Sequence, residues 1–332
     1  MSCAVYSHGQ DEALFPIRAN GKMGFGDRTG KVVIPYQFDE ISNYFSEGMI
    51  SVRIGEKWGY IDKSGKIVIT PQFDETSPFK GGMALVEIGK NSGFIDTTGK
   101  MLIPLESPDV GTYFSEGLAK AKKGRKYGFV DKAGKFIIEP QYASAQNFGE
   151  GLAAVSRDIF DGKYGFIDKT GKTIIPFQFF NADWFSEGLA RVTIEENTLE
   201  KDAKSGFIDK TGKMVIAPKF DKAFAFSEGL AKVAIGNKAG FIDGTGKMVI
   251  APQFHISSGF DFDFVGDGFR EGLAAVRING KVGYIDKTGK FVIPAQFKLG
   301  YPFNSGLAFV LTEDGRAFFI DKSGKVAIEL KP

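Results

Sequence analysis

The chain has one cysteine, Cys3, and two histidines, His8 and His255, in 332 residues. A lone thiol closes no internal disulfide and completes no cysteine-ligated zinc site, so a disulfide scaffold and a structural zinc fold are both excluded. With two distant imidazoles, few nucleophile–base pairs are available. No G-x-S-x-G elbow and no H-E-x-x-H pair occurs. The recurring Gly-Lys is no Walker A ending, because the upstream glycine is one residue too distant and the next residue is apolar, as from Gly59 to Ile67. Strong charge of either sign is also missing: 42 basic residues face 40 acidic ones, net +2. That balance argues against nucleic acid as a partner. No apolar run approaches the roughly 18 residues of a spanning helix, and Met1-Ser2-Cys3-Ala4 lacks the regions of a signal peptide. As written, the sequence predicts a cytoplasmic chain with no transmembrane segment, no metal and no cofactor.

What the chain has in excess is glycine, 43 residues, and phenylalanine, 33 against 10 tyrosines and 2 tryptophans. This pairing fits a β architecture with many turns. Self-comparison shows why: Gly-Leu-Ala-x-Val, then Lys-x-Gly-Phe-Ile-Asp, then Lys-Thr-Gly-Lys-x-Val-Ile-x-Pro-x-Phe recurs down the chain. Nine copies align on Asp27, Asp62, Asp96, Asp131, Asp168, Asp209, Asp243, Asp286 and Asp321, spaced 34 to 43 residues apart. The reading is an N-terminal tail over 1–13 and one continuous repeat domain over 14–332.

In the second copy, Ile50, Val52 and Ile54 alternate onto one face of a half-buried strand, strand a. Lys57-Trp58-Gly59-Tyr60-Ile61-Asp62 is a short aromatic strand b, and Ile67-Val68-Ile69, apolar on both faces, is strand c. Pro71 lacks an amide donor and stops the ladder. Between b and c, Asp62-Lys63-Ser64-Gly65-Lys66 fits a type I turn closed by a left-handed glycine. The same pairing recurs as Asp96 with Gly99, Asp168 with Gly171 and Asp209 with Gly212. Nine equivalent carboxylates read as turn acceptors rather than catalytic acids. The glycine before the strand-b aromatic marks a close backbone approach. Aromatics before each strand a, namely Phe45, Phe79, Phe114, Phe148, Phe185, Phe226, Phe269 and Phe303, read as plugs between neighbouring units. The alternative is an exposed ladder stacking on sugar or peptide.

Lys57-Trp58-Gly59-Tyr60-Ile61-Asp62, with Phe45-Ser46-Glu47-Gly48 and the Pro-x-Phe ending, resembles the bacterial WG (KWG) repeat family over nearly the whole chain. The resemblance implies a binding module and transfers no catalytic residue. A bacterial origin also leaves room for an exported or lipid-anchored protein with its signal removed. Nine three-stranded antiparallel meanders stack as an open superhelical solenoid or close into a propeller-like ring. The open form is the expectation, since no unit is split between the termini and both ends look irregular, with Pro16 in the first strand.

Function is then expected to be non-catalytic: a scaffold presenting an extended surface to a protein or peptide. A cell-envelope glycan-binding role is the alternative, and a structural or assembly role a further one. The insertion between Ser257 and Phe269 is the segment the repeat does not explain. Its candidate partner-binding residues are Phe260, Asp261, Phe262, Asp263, Phe264 and Asp267, with His255 just before it.

Overall fold

In the computed structural model, the structure describes residues 14–27, 31–42, 45–104, 109–110, 114–158, 162–194, 203–256, 268–304 and 306–330. The tail over 1–13 and the turn glycine Gly30 lie outside them. All named elements are β-strands, arranged in nine small antiparallel sheets. Contacts divide the chain into two compact units. One comprises Met1–Phe114, Asp131–Lys135 and Asn304–Pro332; the other comprises Ser115–Val130 and Phe136–Phe303. Numbering repeats by their turn aspartates, the first unit holds the strands of repeats 1 to 3, the outer strand Asp109–Val110 of repeat 4 and strands a to c of repeat 9; the second holds strands a to c of repeat 4, the strands of repeats 5 to 8 and the outer strand Leu299–Gly300 of repeat 9.

Repeat 2 shows how each sheet is built. Strand a is Met49–Ile54, strand b Lys57–Asp62 and strand c Ile67–Phe73. A fourth strand, Glu40–Ile41, pairs with strand a through Glu40↔Arg53 and Ile41↔Val52. It is made by the connector, so the expected three-stranded meander is four-stranded in seven of the nine sheets. Two residues are too few to leave a period-2 signature, which is why sequence alone assigned this segment to a loop.

The strand-b glycine sits where strand c crosses. A Cβ at Gly59 would lie 2.4 Å from the Ile69 carbonyl oxygen and 2.5 Å from the Pro71 nitrogen; at Gly206 the Ile216 oxygen would be 2.5 Å away. Strand c bulges over this point, with a register shift between Trp58 and Tyr60.

The turn glycine has two constraints. Gly212 has φ +86°, and a Cβ there would also stand 2.9 Å from Cγ2 of Ile175, on strand c of the preceding repeat. Gly65 repeats this geometry against Ile34. Gly212→Val is therefore expected to lower stability by about 1–3 kcal/mol from backbone strain and seam contact. Thermal melting checks this, and an unchanged midpoint would refute the assignment.

Neighbouring repeats meet through aromatic pairs. The strand-b ring of one repeat contacts the connector phenylalanine of the next in Phe25–Phe45, Tyr60–Phe79, Phe94–Phe114 and Phe129–Phe148. The series continues in Phe166–Phe185, Phe207–Phe226, Phe241–Phe269 and Tyr284–Phe303, with all eight centroid separations between 4.8 and 5.3 Å. All eight connector rings are buried, so they plug seams and form no exposed ladder.

The ninth strand-b ring, Phe319, finds its partner at the other end of the sequence. It packs on Phe15 at a centroid separation of 5.8 Å, and the two share a buried cluster with Ile328, all within the first unit. An open array leaves these two ends apart. The open solenoid is therefore corrected: the nine sheets are the blades of a closed β-propeller. Pro16 does not break the first strand, which runs Phe15–Ala19 and pairs Pro16 with Phe25. Among the described residues, Phe15–Ala19 lies at a sheet edge, where a missing N–H is tolerated.

Candidate binding surface

The recurrent carboxylates are occupied by the fold. Asp62 Oδ1 accepts N–H bonds from Ser64 and Lys66, at 2.9 and 3.1 Å, and the Ser64 hydroxyl at 2.6 Å. Asp96, Asp168 and Asp209 do the same with Thr98, Thr170 and Thr211 and the following lysine amides. Donation from the hydroxyl leads the causes that hold these carboxyls below the usual aspartate range.

A second set, the glutamates of the Ser-Glu-Gly and Gly-Glu-Gly tips, ties five repeats to the ones that follow them. Glu47, Glu116, Glu150, Glu187 and Glu228 all have positive φ. Gly81 and Gly82 donate to Glu47 at 2.6 and 2.8 Å, and Gly151, Gly188, Gly229 and Gly272 donate to the other four. Turn lysines add ion pairs: Lys169 with Glu116, Lys210 with Glu150 and Lys287 with Glu228. Partial burial raises the Glu116 and Glu150 pKa values, but the lysine and glycine donors outweigh it and leave both net lowered. The tip serines add a further link, as Ser46 and Ser227 donate to the carbonyls of Phe79 and Phe269. Sequence reading missed these glutamates because their partners lie 34 to 44 residues downstream.

The opposite ends of the strands carry the position that varies. Asp39, Asp74 and Asp221 directly follow strand c; they bind Lys22, Lys57 and Lys204 and accept N–H bonds from Gly55, Gly89 and Gly236. The lysine contact is the leading cause that lowers all three pKa values. In repeats 4, 5, 7 and 8 the same position holds Ala143, Phe180, His255 and Lys298. His255 ends the strand Met248–His255, and its Nε2 stands 3.2 Å from Lys238 Nζ. Phe260, Asp261, Phe262, Asp263, Phe264 and Asp267 lie outside the described residues.

Phe180 is 41 % exposed and Trp184 is 47 % exposed, at either end of a connector whose strand, Asn181–Ser186, is longer than the two-residue form in repeat 2. Between them Asp183 accepts a 2.7 Å bond from Arg191 Nε, a pair about four-fifths buried. A Cβ at Gly149 would lie 2.8 Å from the Phe185 carbonyl oxygen and 3.1 Å from Trp184 Cβ, so the glycine that replaces the usual tip serine makes room for the connector backbone of the next repeat. No group of three or more metal-ligating side chains, and no helix long and apolar enough to cross a membrane, occurs among the described residues.

Fold and surface together define a repeat propeller whose recurrent polar residues serve the scaffold and in which Phe180 and Trp184 are exposed. The chain belongs to the WG containing repeat family, which matches residues 23–58, 58–91, 93–127, 127–158, 164–197, 206–238, 240–281 and 283–315. No curated protein matches it. Among solved structures, the chain is similar to one described as the eukaryotic initiation factor, with 12 % identity, TM-score 0.64 and 95 % of each chain covered. That likeness is of fold. BamB from Moraxella catarrhalis matches at 9 % identity and TM-score 0.41, covering 83 % of this chain and 94 % of that one. The uncharacterized protein lmo1340 from Listeria monocytogenes EGD-e matches at 10 % identity and TM-score 0.41, covering 89 % and 94 %.

Proposed function

We propose that the protein is a non-catalytic binding scaffold whose contact surface includes the connector between Phe180 and Trp184. The observation that carries this reading is a contrast. The turn aspartates and tip glutamates are engaged in the fold's own hydrogen bonds, whereas Phe180 stands exposed at a position where other repeats place small or polar residues, and the exposed Trp184 stands at one that holds Tyr44, Pro78, Tyr113, Asn147, Ala225, Gly268 or Pro302 elsewhere. Exposed aromatics that the repeat does not require fit a contact role better than a packing one.

Two ligand classes fit. A protein or peptide partner is the reading that the sequence favoured, and it goes with a cytoplasmic chain. The exposed Trp184 indole favours the other, a cell-envelope glycan, because a flat exposed ring suits a sugar face. That reading goes with an exported or lipid-anchored form.

The test is the double variant Phe180→Ala/Trp184→Ala, compared with the unaltered protein by sedimentation with peptidoglycan and by pulldown from host lysate. Loss of roughly tenfold in one assay, about 1.4 kcal/mol, with melting shifted by less than about 2 °C, identifies both surface and ligand class. Binding that is unchanged in both assays refutes the proposed surface.

A further inference from the structure

One seam differs chemically from the others. Side chains alternate across a strand, so in each connector strand one residue faces the preceding repeat and the next faces the following one. Ile41 faces backward and packs on the cluster between repeats 1 and 2. Thr76 holds the same register in repeat 3, pairing with Val86 as Ile41 pairs with Val52. It therefore faces repeat 2. In repeats 5, 6 and 7 this position is Ala145, Ala182 or Ala223, each within an apolar cluster.

From the other side of the seam, Ser51 pairs with Tyr60 on strand b and is 1 % exposed. Tyr60 lies in the cluster between repeats 2 and 3, which fixes the direction Ser51 faces. The equivalent residues are apolar at Leu85, Ala154 and Ala275 and long cations at Lys120, Arg191 and Lys232, so Ser51 differs from both sets in placing a short hydroxyl here. Ser42, whose N–H donates to the Ser51 carbonyl at 2.9 Å, follows Ile41 and so faces the same way as Ser51. Three hydroxyls thus converge on the seam between repeats 2 and 3, all within the first unit. Ser42 Oγ, Ser51 Oγ and Thr76 Oγ1 are all shielded from solvent and have no hydrogen bond of good geometry among the described residues. The Tyr60 hydroxyl donates to the Ser77 carbonyl at 2.7 Å, and its interaction with the Thr76 hydroxyl lowers the Tyr60 pKa against the larger rise from burial, but the geometry of that contact is too poor to satisfy Thr76 Oγ1.

We infer that this seam is an internal binding site for ordered water, held by Ser42, Ser51 and Thr76. Leaving a hydroxyl buried without a partner is destabilising, and three at one seam would each incur that cost. A buried water makes about three hydrogen bonds, the number these oxygens provide. The ligand class is a neutral donor–acceptor of water's size; three hydroxyls offer no charge to select an ion.

Two measurements test the site. A crystal structure at about 1.5 Å is expected to show a density peak within about 3.2 Å of all three oxygens. Thr76→Val keeps the shape and removes the hydroxyl, and is expected to lower the melting temperature by roughly 2–4 °C. Thr76→Ser is expected to retain the peak. If the hydroxyls are simply unsatisfied, Thr76→Val is neutral or stabilising. The proposal stands only on both results: absence of the peak, or a Thr76→Val midpoint equal to or above that of the unaltered protein, overturns it.

Discussion

Gly59→Ala is expected to cost about 3 kcal/mol, at the severe end for a single added methyl group. The residue has no positive φ to explain its identity, so the expectation rests on space alone. The added carbon would lie 2.4 Å from the Ile69 carbonyl oxygen and within 2.8 Å of two Pro71 backbone atoms. Side chains at such distances can rotate away, but backbone atoms held in a sheet cannot. Relief requires strand c to lift from strand b, which would break the Trp58↔Phe73 and Tyr60↔Ile69 pairings together. Gly55→Ala is the matched control. Gly55 has φ +63° with nothing within 4 Å of a Cβ, so it bears conformational strain without collision and is expected to cost only about 1 kcal/mol. Urea denaturation of both variants checks the difference. Equal costs would mean that the crossing is not a steric constraint.

Strand-b glycines were legible as close approaches because a residue without a side chain in a strand interior needs a reason, and the reason recurs with the repeat. The connector rings were legible as seam plugs on the same ground. Ring closure was not, because its sequence signal lies in one repeat and runs against the pattern. Phe15 pairs with Gly26 at the register where later repeats pair Ala84 with Ile95, Ala153 with Ile167 and Ala231 with Ile242. A large residue replaces alanine and glycine replaces isoleucine. Volume is exchanged across the strand pair, which lets strand a of repeat 1 provide a ring that connectors provide elsewhere. Seen as one sequence position, Phe15 is only another apolar strand residue. Trp184 was missed because exposure of a single side chain leaves no periodic signal.

The tip glutamates show a further limit. Each Ser-Glu-Gly triplet resembles an ordinary turn, and nothing local requires glutamate in the left-handed region. The requirement comes from the next repeat, whose glycine amide meets the carboxylate. Where a turn lysine is present, as at Lys169 and Lys210, a charge is added to the link. Repeat 7 has Gly244 at that turn position, so the link from Glu187 is made with the Gly229 amide. Periodicity thus encodes the scaffold's seams, and local departures mark where individual repeats differ in strength or exposure.

Closure of the propeller can be measured as an energy of interaction between two residues 304 positions apart, Phe15 and Phe319. Both are 3 % exposed, so Phe15→Ala and Phe319→Ala are each expected to cost about 3–5 kcal/mol. The single costs do not distinguish closure from ordinary packing, because Phe319 also touches Phe309 within its own sheet. The double-mutant cycle does. Direct contact at 5.8 Å between tilted rings predicts that the double variant loses about 0.5–1.5 kcal/mol less than the sum of the singles. In an open array the two rings would lie at opposite ends, and their effects would add. Chemical denaturation of the four proteins gives the coupling. Additivity within about 0.3 kcal/mol for Phe15 and Phe319, with both singles folded, would show that the first and last blades do not meet in solution.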